Sequence, residues 1–255
     1  MFKVISDHEI AISSPDHLNP TGTRQDNSFN ARFWWKLKKL FTNFSLLDVG
    51  CSNGRLVKEI IDRGDVALGL EGSDYSRKMH RSFWNTLNNK FLFCQDITKK
   101  FSIFTINQPK RDIIETFKFD VITSFEVFEH IPETNWDAMI DNLLSHSKPS
   151  TIYIFSISTD QSDPLHVTIK DFKTIDLFFN RKGIFFNSDL YNYFNSQYVR
   201  GPKINEPKSH IYVGTLKSFN GEIKVPKLSL KDLVVDYYYY SKLNKFLSKI
   251  TNIPN

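Results

Sequence analysis

The chain has 255 residues, of which 40% are hydrophobic and 15% aromatic, with 23 Phe; this suffices for one α/β domain with a sizeable, Phe-rich core and excludes a disordered chain. The net charge of +5 and pI of about 9.0 arise without a long Lys/Arg block, which permits an anionic partner but does not argue for nucleic acid. The two cysteines, Cys51 and Cys94, make neither a disulfide framework nor a metal cluster, so a reducing, cytoplasmic setting is expected.

The N-terminus lacks the apolar stretch of a signal peptide, and no segment approaches eighteen uninterrupted apolar residues, so no transmembrane helix is expected. Residues up to about Asn27 read as irregular, punctuated by Pro15, Pro20 and Gly22. A helix is predicted over 28–41, with Phe29, Phe33, Leu37, Leu40 and Phe41 on one stripe. Strands at 45–49, 66–71, 91–95, 119–124 and 152–156 then alternate with helices at 55–62, 74–87 and 135–147. Residues 98–117 carry one helix at most. The alternation predicts a doubly wound, mostly parallel Rossmann-like sheet of seven strands with helices on both faces. A helix at 171–179 is followed by strands at 183–187 and 211–216. No helix is read between those two strands, which predicts a late antiparallel hairpin. The tail from Val225 carries Leu243, Phe246, Leu247 and Ile250 at helical spacing, opposite Lys242, Lys245 and Lys249. Its ordinary reading is a helix packed on the domain; contact with a membrane surface or another subunit is the alternative. The organisation is thus an N-terminal segment and helical cover (1–43), a catalytic domain (44–218) and a helical tail (219–255).

The most informative run is Leu46-Leu47-Asp48-Val49-Gly50-Cys51-Ser52-Asn53-Gly54. A buried strand breaks into a glycine-bearing turn and a helix follows, so backbone approaches a ligand closely and free N–H groups face it. Glu71 ends the next strand, where a carboxylate accepts hydrogen bonds from ribose hydroxyls. The Gly50 to Gly54 spacing is Gly-x-x-x-Gly, not the Gly-x-Gly-x-x-Gly of a pyrophosphate site, so the nucleotide-like cofactor need not carry a phosphate.

These residues resemble the class I S-adenosylmethionine-dependent methyltransferases. Residues 48–54 are similar to the family's first motif, usually Asp/Glu-x-Gly-x-Gly-x-Gly, and Glu71 matches the acidic end of its second strand. Cys94-Gln95-Asp96-Ile97 resembles the third motif. Phe119-Asp120-Val121-Ile122-Thr123-Ser124-Phe125-Glu126-Val127-Phe128-Glu129-His130-Ile131 resembles the fourth, in the form ending Glu-Val-Leu-Glu-His. One departure is Ser52 in place of the central glycine: serine fits at negative φ and is strained at positive φ. Asp16-His17-Leu18-Asn19-Pro20, Asp26-Asn27-Ser28 and His166-Val167-Thr168 are similar to small methyltransferases associated with sugar and surface-polysaccharide biosynthesis.

The resemblance implies S-adenosylmethionine as cofactor, with S-adenosylhomocysteine as product. Asp48 would hold the loop or the methionine ammonium. Gly50, Cys51 and Gly54 would line the methionine and ribose side, and Glu71 would take both ribose hydroxyls. Asp96 would accept from the adenine amino group, Ile97 would offer a backbone N–H, and Ser124 and Phe125 would sit beneath the methionine end. An alcohol acceptor must lose a proton, and His is the usual base near neutral pH. His130 and then His166 are the candidates, with Glu126 and Glu129 orienting substrate or histidine; one of the two glutamates is expected to face the cleft and the other solvent. A divalent cation on Glu126, Asp163 and His166 is weighed, but these lack ligand spacing and no metal site is expected. Phe29, Phe33 and Trp35 form a lid or, more often for such a stripe, pack on the sheet. Arg24, Arg32 and Lys36 contact a substrate phosphate or form a solvated face.

The leading expectation is an O-methyltransferase acting on a sugar or phosphorylated sugar-type intermediate of surface-polysaccharide (capsule) synthesis. The partner is then a small molecule, with no nucleic acid; strand four lacks an Asn/Asp-Pro-Pro-aromatic run for gripping an exocyclic amine. The alternatives are a quinone or lipid methyltransferase, in which the Glu-Val-Phe-Glu-His run also fits, and a non-catalytic S-adenosylmethionine-binding module. The sequence leaves the oligomeric state open.

Overall fold

The computed structural model describes residues 1–20, 31–106, 115–194, 209–217 and 223–240. In chain order these form β1 (Phe2–Ser6), α1 (Pro15–Leu18), α2 (Ala31–Leu40), β2 (Ser45–Val49), α3 (Arg55–Asp62), β3 (Val66–Glu71), α4 (Tyr75–Lys78), α5 (Trp84–Leu87), β4 (Leu92–Cys94) and β5 (Phe101–Thr105). There follow β6 (Phe119–Phe125), α6 (Trp136–Ser145), β7 (Ser147–Ser158), α7 (Phe172–Arg181), β8 (Ile184–Phe186), α8 (Ser188–Phe194), β9 (Ser209–Leu216) and α9 (Leu230–Tyr240).

Seven strands form one sheet in the order β4-β3-β2-β6-β7-β9-β8. The first five run parallel, and β9 inserts antiparallel between β7 and β8. The strands are apolar on both faces because helices cover both faces. Leu47, Val49, Leu70 and Ile122 pack with Trp136, Met139 and Ile140 of α6 and Phe178 and Phe179 of α7. Their neighbours Leu46, Ala67, Val121 and Ile154 pack with Phe33 and Leu37 of α2, Leu56 and Ile60 of α3, and Phe194 of α8. Strand order reverses at β2, whose neighbours are β3 and β6. In an open α/β sheet, ligands bind in the crevice outside the carboxyl ends of the strands at such a switch point.

The structure departs from the sequence reading in five places. The segment expected to be irregular contains β1, which pairs antiparallel with β5 from Phe2↔Thr105 to Ser6↔Phe101. That pairing also accounts for residues 98–117: 101–105 are a strand and not a helix. Neither half of this two-stranded sheet declares itself, since each is five residues long and lies a hundred residues from its partner. The helix expected over 74–87 is two four-residue turns, because His80 and Ser82 between them adopt positive φ, of 49° and 46°. Strand β7 begins five residues early and carries Pro149 within it. The register slips there, from Phe119↔Ser147 to Val121↔Ile152, so proline falls in a bulge that owes no ladder bond. Thr151 closes that bulge, accepting from the Lys148 N–H (2.7 Å) and donating to the Phe119 carbonyl (2.6 Å). Finally, β8 and β9 pair antiparallel as expected, but α8 stands between them. The predicted helical stripe at 243–250 lies outside the described residues, as do Arg24 and Phe29.

His146 fastens the small sheet to the large one. Its Nε2 accepts from the Ile103 N–H (3.1 Å), its Nδ1–H donates to the Asn142 carbonyl (2.8 Å), and its ring stacks on Phe101 at 4.8 Å. Burial pushes its pKa down to about 4, from an ordinary value of 6.5. The unfolded chain therefore takes a proton first as pH falls, and stability drops between pH 6.5 and about 4. A displacement of this size corresponds to about 3 kcal/mol. Urea denaturation from pH 7 to 4 is expected to show this loss in the wild type and a flatter profile in His146→Gln.

Candidate active site

The turn after β2 is built from left-handed backbone: Gly50 at φ 76°, Ser52 at 49° and Gly54 at 80°, the last capping α3. A Cβ on Gly50 would lie 2.2 Å from Val127 Cγ2, so only glycine lets the turn pass beneath the segment after β6. Ser52 thus stands in the strained region, at a cost on the order of 1 kcal/mol. It is held from both sides: its N–H donates to Glu71 Oε2 (2.8 Å) and its carbonyl accepts from the Trp84 indole (2.8 Å).

Glu71, at the carboxyl end of β3, receives a second backbone bond at Oε1 from the Ser73 N–H (3.0 Å). Burial raises its pKa to about 7 against the pull of these two N–H groups. Gly50, Glu71, Asp96, Ile97, Phe125 and Glu126 share the wall of one cavity of about 760 Å³ at the switch point, a size within the usual range for small-molecule sites.

The other expected cofactor residues divide. Asp96 lines the cavity, and its Oδ1 accepts from the Thr98 N–H (3.0 Å) and hydroxyl (2.7 Å). Phe125 lies between the cavity and the Phe33 ring (6.2 Å). Asp48, Cys51, Gly54 and Ser124 lie behind the wall. Asp48 accepts from the Thr123 hydroxyl (2.8 Å), and Cys51 is buried against Gly69. The Ser124 hydroxyl is buried and finds no hydrogen-bond partner among the described residues. Of the candidate lid residues, Phe33 is fully buried in the core and Trp35 is half-buried. Arg32 stacks on Trp35 at 3.8 Å, and the buried Lys36 ammonium donates to the Tyr193 carbonyl, so neither lines the cavity.

Elsewhere on the cavity wall the structure brings His130 and His166 together, edge to face at 4.9 Å. His166 Nδ1–H donates to the Asp160 carbonyl (2.6 Å), which leaves Nε2 as the lone-pair nitrogen, 3.9 Å from Asp163 Oδ2. His130 Nδ1 lies 3.2 Å from Asp16 Oδ2. Burial lowers the His130 pKa, with Asp16 opposing, and burial raises that of Asp16. Glu126, at φ 55°, turns back: Ser156 (2.6 Å) and Ser209 (3.0 Å) donate to its carboxylate. Glu129, one of the pair from which a solvent-facing residue was expected, is fully buried. Its carbonyl accepts from the N–H groups of Val167 (2.8 Å) and Thr168 (3.0 Å), binding the His130 turn to the His166 loop.

Asp16 received no site role from its sequence alone. The segment 8–19 crosses the cavity mouth because His8 and Ala11 bond to the loops after β4 and β3 (Asp96 N–H to His8 carbonyl, 3.1 Å; Ala11 N–H to Gly72 carbonyl, 3.0 Å). Its one legible signal was Asp16-His17 set in a Pro-punctuated stretch.

Comparison with known proteins shows the family. A methyltransferase-domain family model matches residues 23–200, well over half of the chain. The chain belongs to that family and is a class I methyltransferase, an enzyme whose cofactor is S-adenosylmethionine. No curated protein matches it in sequence. Among solved structures it is similar to the 1,6-didemethyltoxoflavin N1-methyltransferase of Burkholderia thailandensis, at 8% identity over 79% of this chain and 84% of that one, TM-score 0.53. It is also similar to a TehB-like methyltransferase of Corynebacterium glutamicum (15% identity, 78% and 94% covered, TM-score 0.49). A third is the magnesium protoporphyrin IX methyltransferase of Synechocystis (16%, 67% and 87%, TM-score 0.44). Among the described residues no helix is long and apolar enough to cross a membrane.

The residues present fit the cofactor. The Gly50 backbone and a buried carboxylate face one cavity, and the orphaned Ser124 hydroxyl marks polar capacity beside the turn. With its pKa raised, Glu71 makes the donor-free protein lose stability as pH climbs from 4.5 to about 7, by about 3 kcal/mol, because the unfolded chain releases the proton first. Thermal denaturation is expected to show this slope in the wild type and its loss in Glu71→Gln. Calorimetry is expected to show donor affinity weakened roughly tenfold or more in Glu71→Ala, the worth of hydrogen bonds to a charged acceptor.

Proposed function

We propose that this methyltransferase methylates a hydroxyl of a small, sugar-type acceptor held between the Gly50–Glu71 cradle and the His130–His166 pair. The observation that carries the reading is that both histidines and the cradle line the same cavity. When bound, S-adenosylmethionine would supply an electrophilic methyl carbon on a sulfonium, with a neutral thioether as leaving group. The chain's own task is then alignment and removal of the acceptor proton. Glu71 holds the ribose through its remaining lone pairs, Asp96 and Ile97 meet the adenine, and Gly50 and Phe125 bound the methionine end, with Asp48, Cys51, Gly54 and Ser124 supporting the turn from behind. The His130–His166 pair handles the acceptor proton, and Glu126, pinned by Ser156 and Ser209, holds a neighbouring acceptor hydroxyl.

A neutral polyhydroxyl acceptor is favoured over a phosphorylated one. Six carboxylates line the cavity, those of Asp16, Glu71, Asp96, Glu126, Asp160 and Asp163, and no Lys or Arg does among the described residues. Carboxylates accept from hydroxyls and repel phosphate. Asp16 and His166, both on this wall, belong to the segments that resemble enzymes of surface-polysaccharide synthesis, which supports a cytoplasmic role in making such a glycan. A quinone or lipid acceptor has the exposed Leu230, Leu233 and Val234 of α9 in its favour; cosedimentation of the full chain with liposomes would decide for it.

Labelled donor incubated with neutral sugars, sugar nucleotides, sugar phosphates and cell-envelope extracts is expected to label a hydroxyl of a sugar, and transfer into none of them sinks the glycan reading. His130→Ala and His166→Ala are each expected to lower kcat by roughly a hundredfold or more while leaving donor affinity unchanged. Full turnover in both would remove the pair from the mechanism.

A further inference from the structure

Glu129, His130 and His166 come together although 36 residues separate the two histidines. One ligand atom from each lies within 4.8 Å of the others, against about 4.2 Å for two ligands on opposite sides of a first-row divalent ion with bonds near 2.1 Å. Small side-chain rotations close that gap. His166 shows the arrangement of a metal ligand, with one ring nitrogen bound to backbone and the other left for an ion. His166 Nδ1–H is held by the Asp160 carbonyl. His130 Nδ1 is buried and has no hydrogen-bond partner among the described residues.

That nitrogen nevertheless sits 3.2 Å from Asp16 Oδ2. That is the spacing of adjacent ligands on one ion, since bonds near 2.1 Å at right angles place them roughly 3 Å apart. Asp163 Oδ2, 3.9 Å from His166 Nε2, stands on the opposite flank. Three carboxylates, those of Asp16, Glu129 and Asp163, thus surround two imidazoles, and no Lys or Arg lines this wall among the described residues.

We propose that Glu129, His130 and His166, completed by Asp16, bind one first-row divalent cation on the acceptor side of the active-site cavity. The mixed imidazole and carboxylate set selects the Mn2+, Fe2+, Co2+ and Zn2+ group over Mg2+ and Ca2+. This deepens the hydroxyl-acceptor reading and rests on it for its chemistry alone: the cation ligates the acceptor oxygen and lowers its pKa, the O–H bond breaks with its electron pair left on oxygen, and the proton passes to water. The two histidines then act as ligands and not as bases.

The test is titration of the untagged, EDTA-treated full chain with Co2+, followed by visible absorption and calorimetry. One Co2+ per chain with ligand-field bands is expected, with affinity weakened roughly a hundredfold or more in His166→Ala and in the near-isosteric Glu129→Gln, and unchanged in the exposed His8→Ala. Absence of Co2+ binding, or binding that neither variant weakens, overturns the site. If EDTA-treated protein still methylates a hydroxyl acceptor at full rate, the cation's role fails and the hydroxyl reading survives. If Co2+ binds at these residues and no hydroxyl acceptor is methylated, the site stands and the hydroxyl reading fails.

Discussion

The carboxylate of Glu71 is the constraint on which the rest of this active site depends. It lies at the end of β3 and receives one N–H from the turn after β2 and one from the turn after β3. Those two bonds fix the relative position of the loops that make the cofactor cradle, and they hold Ser52 in a backbone conformation that its side chain disfavours. Because the carboxylate is buried, its charge is costly, and the pKa near 7 records that cost. A ligand that brings hydroxyl donors to it relieves the same cost, so the cradle is poised for a polyhydroxyl cofactor by the electrostatics that strain it.

The other half of the cavity obeys a different logic. No single continuous motif spans it. The turn after β6 supplies Glu129 and His130, the loop after β7 supplies His166, and the N-terminal segment supplies Asp16. The Glu129 carbonyl holds the first two together through the Val167 and Thr168 N–H groups, and the backbone bonds of His8 and Ala11 lay the third across the mouth. The donor side is therefore built on the rigid switch point of the sheet, and the acceptor side on loops that the scaffold positions. This is the usual division between a shared cofactor and a variable substrate.

The five parallel strands, the turn and Glu71 were legible because each rests on local pattern: continuous apolar runs, glycine at left-handed positions, an acid at a strand end. Strands β1 and β5 were not, since five residues of alternating pattern carry meaning only once the distant partner is known. Helix 74–87 failed for a backbone reason, two residues at positive φ, that no side-chain periodicity reports. At the site, the residue order left open which of Glu126 and Glu129 faces the cleft: Glu126 lines the cavity, and Glu129 is buried instead of facing solvent. The positive φ of Glu126 turns its carboxylate toward Ser156 and Ser209, and the turn that follows carries Glu129 into the interior.

By itself, the sequence determined the class of enzyme and its cofactor, because the glycine-bearing turn and the acidic strand ends are contiguous local features that the residue order displays. Only the tertiary structure decided how the acceptor side is made. The convergence of Asp16, Glu129, His130 and His166 depends on three loops meeting. Their meeting is set by long-range backbone hydrogen bonds and by the burial of charge, neither of which leaves a local signature in the order of the residues.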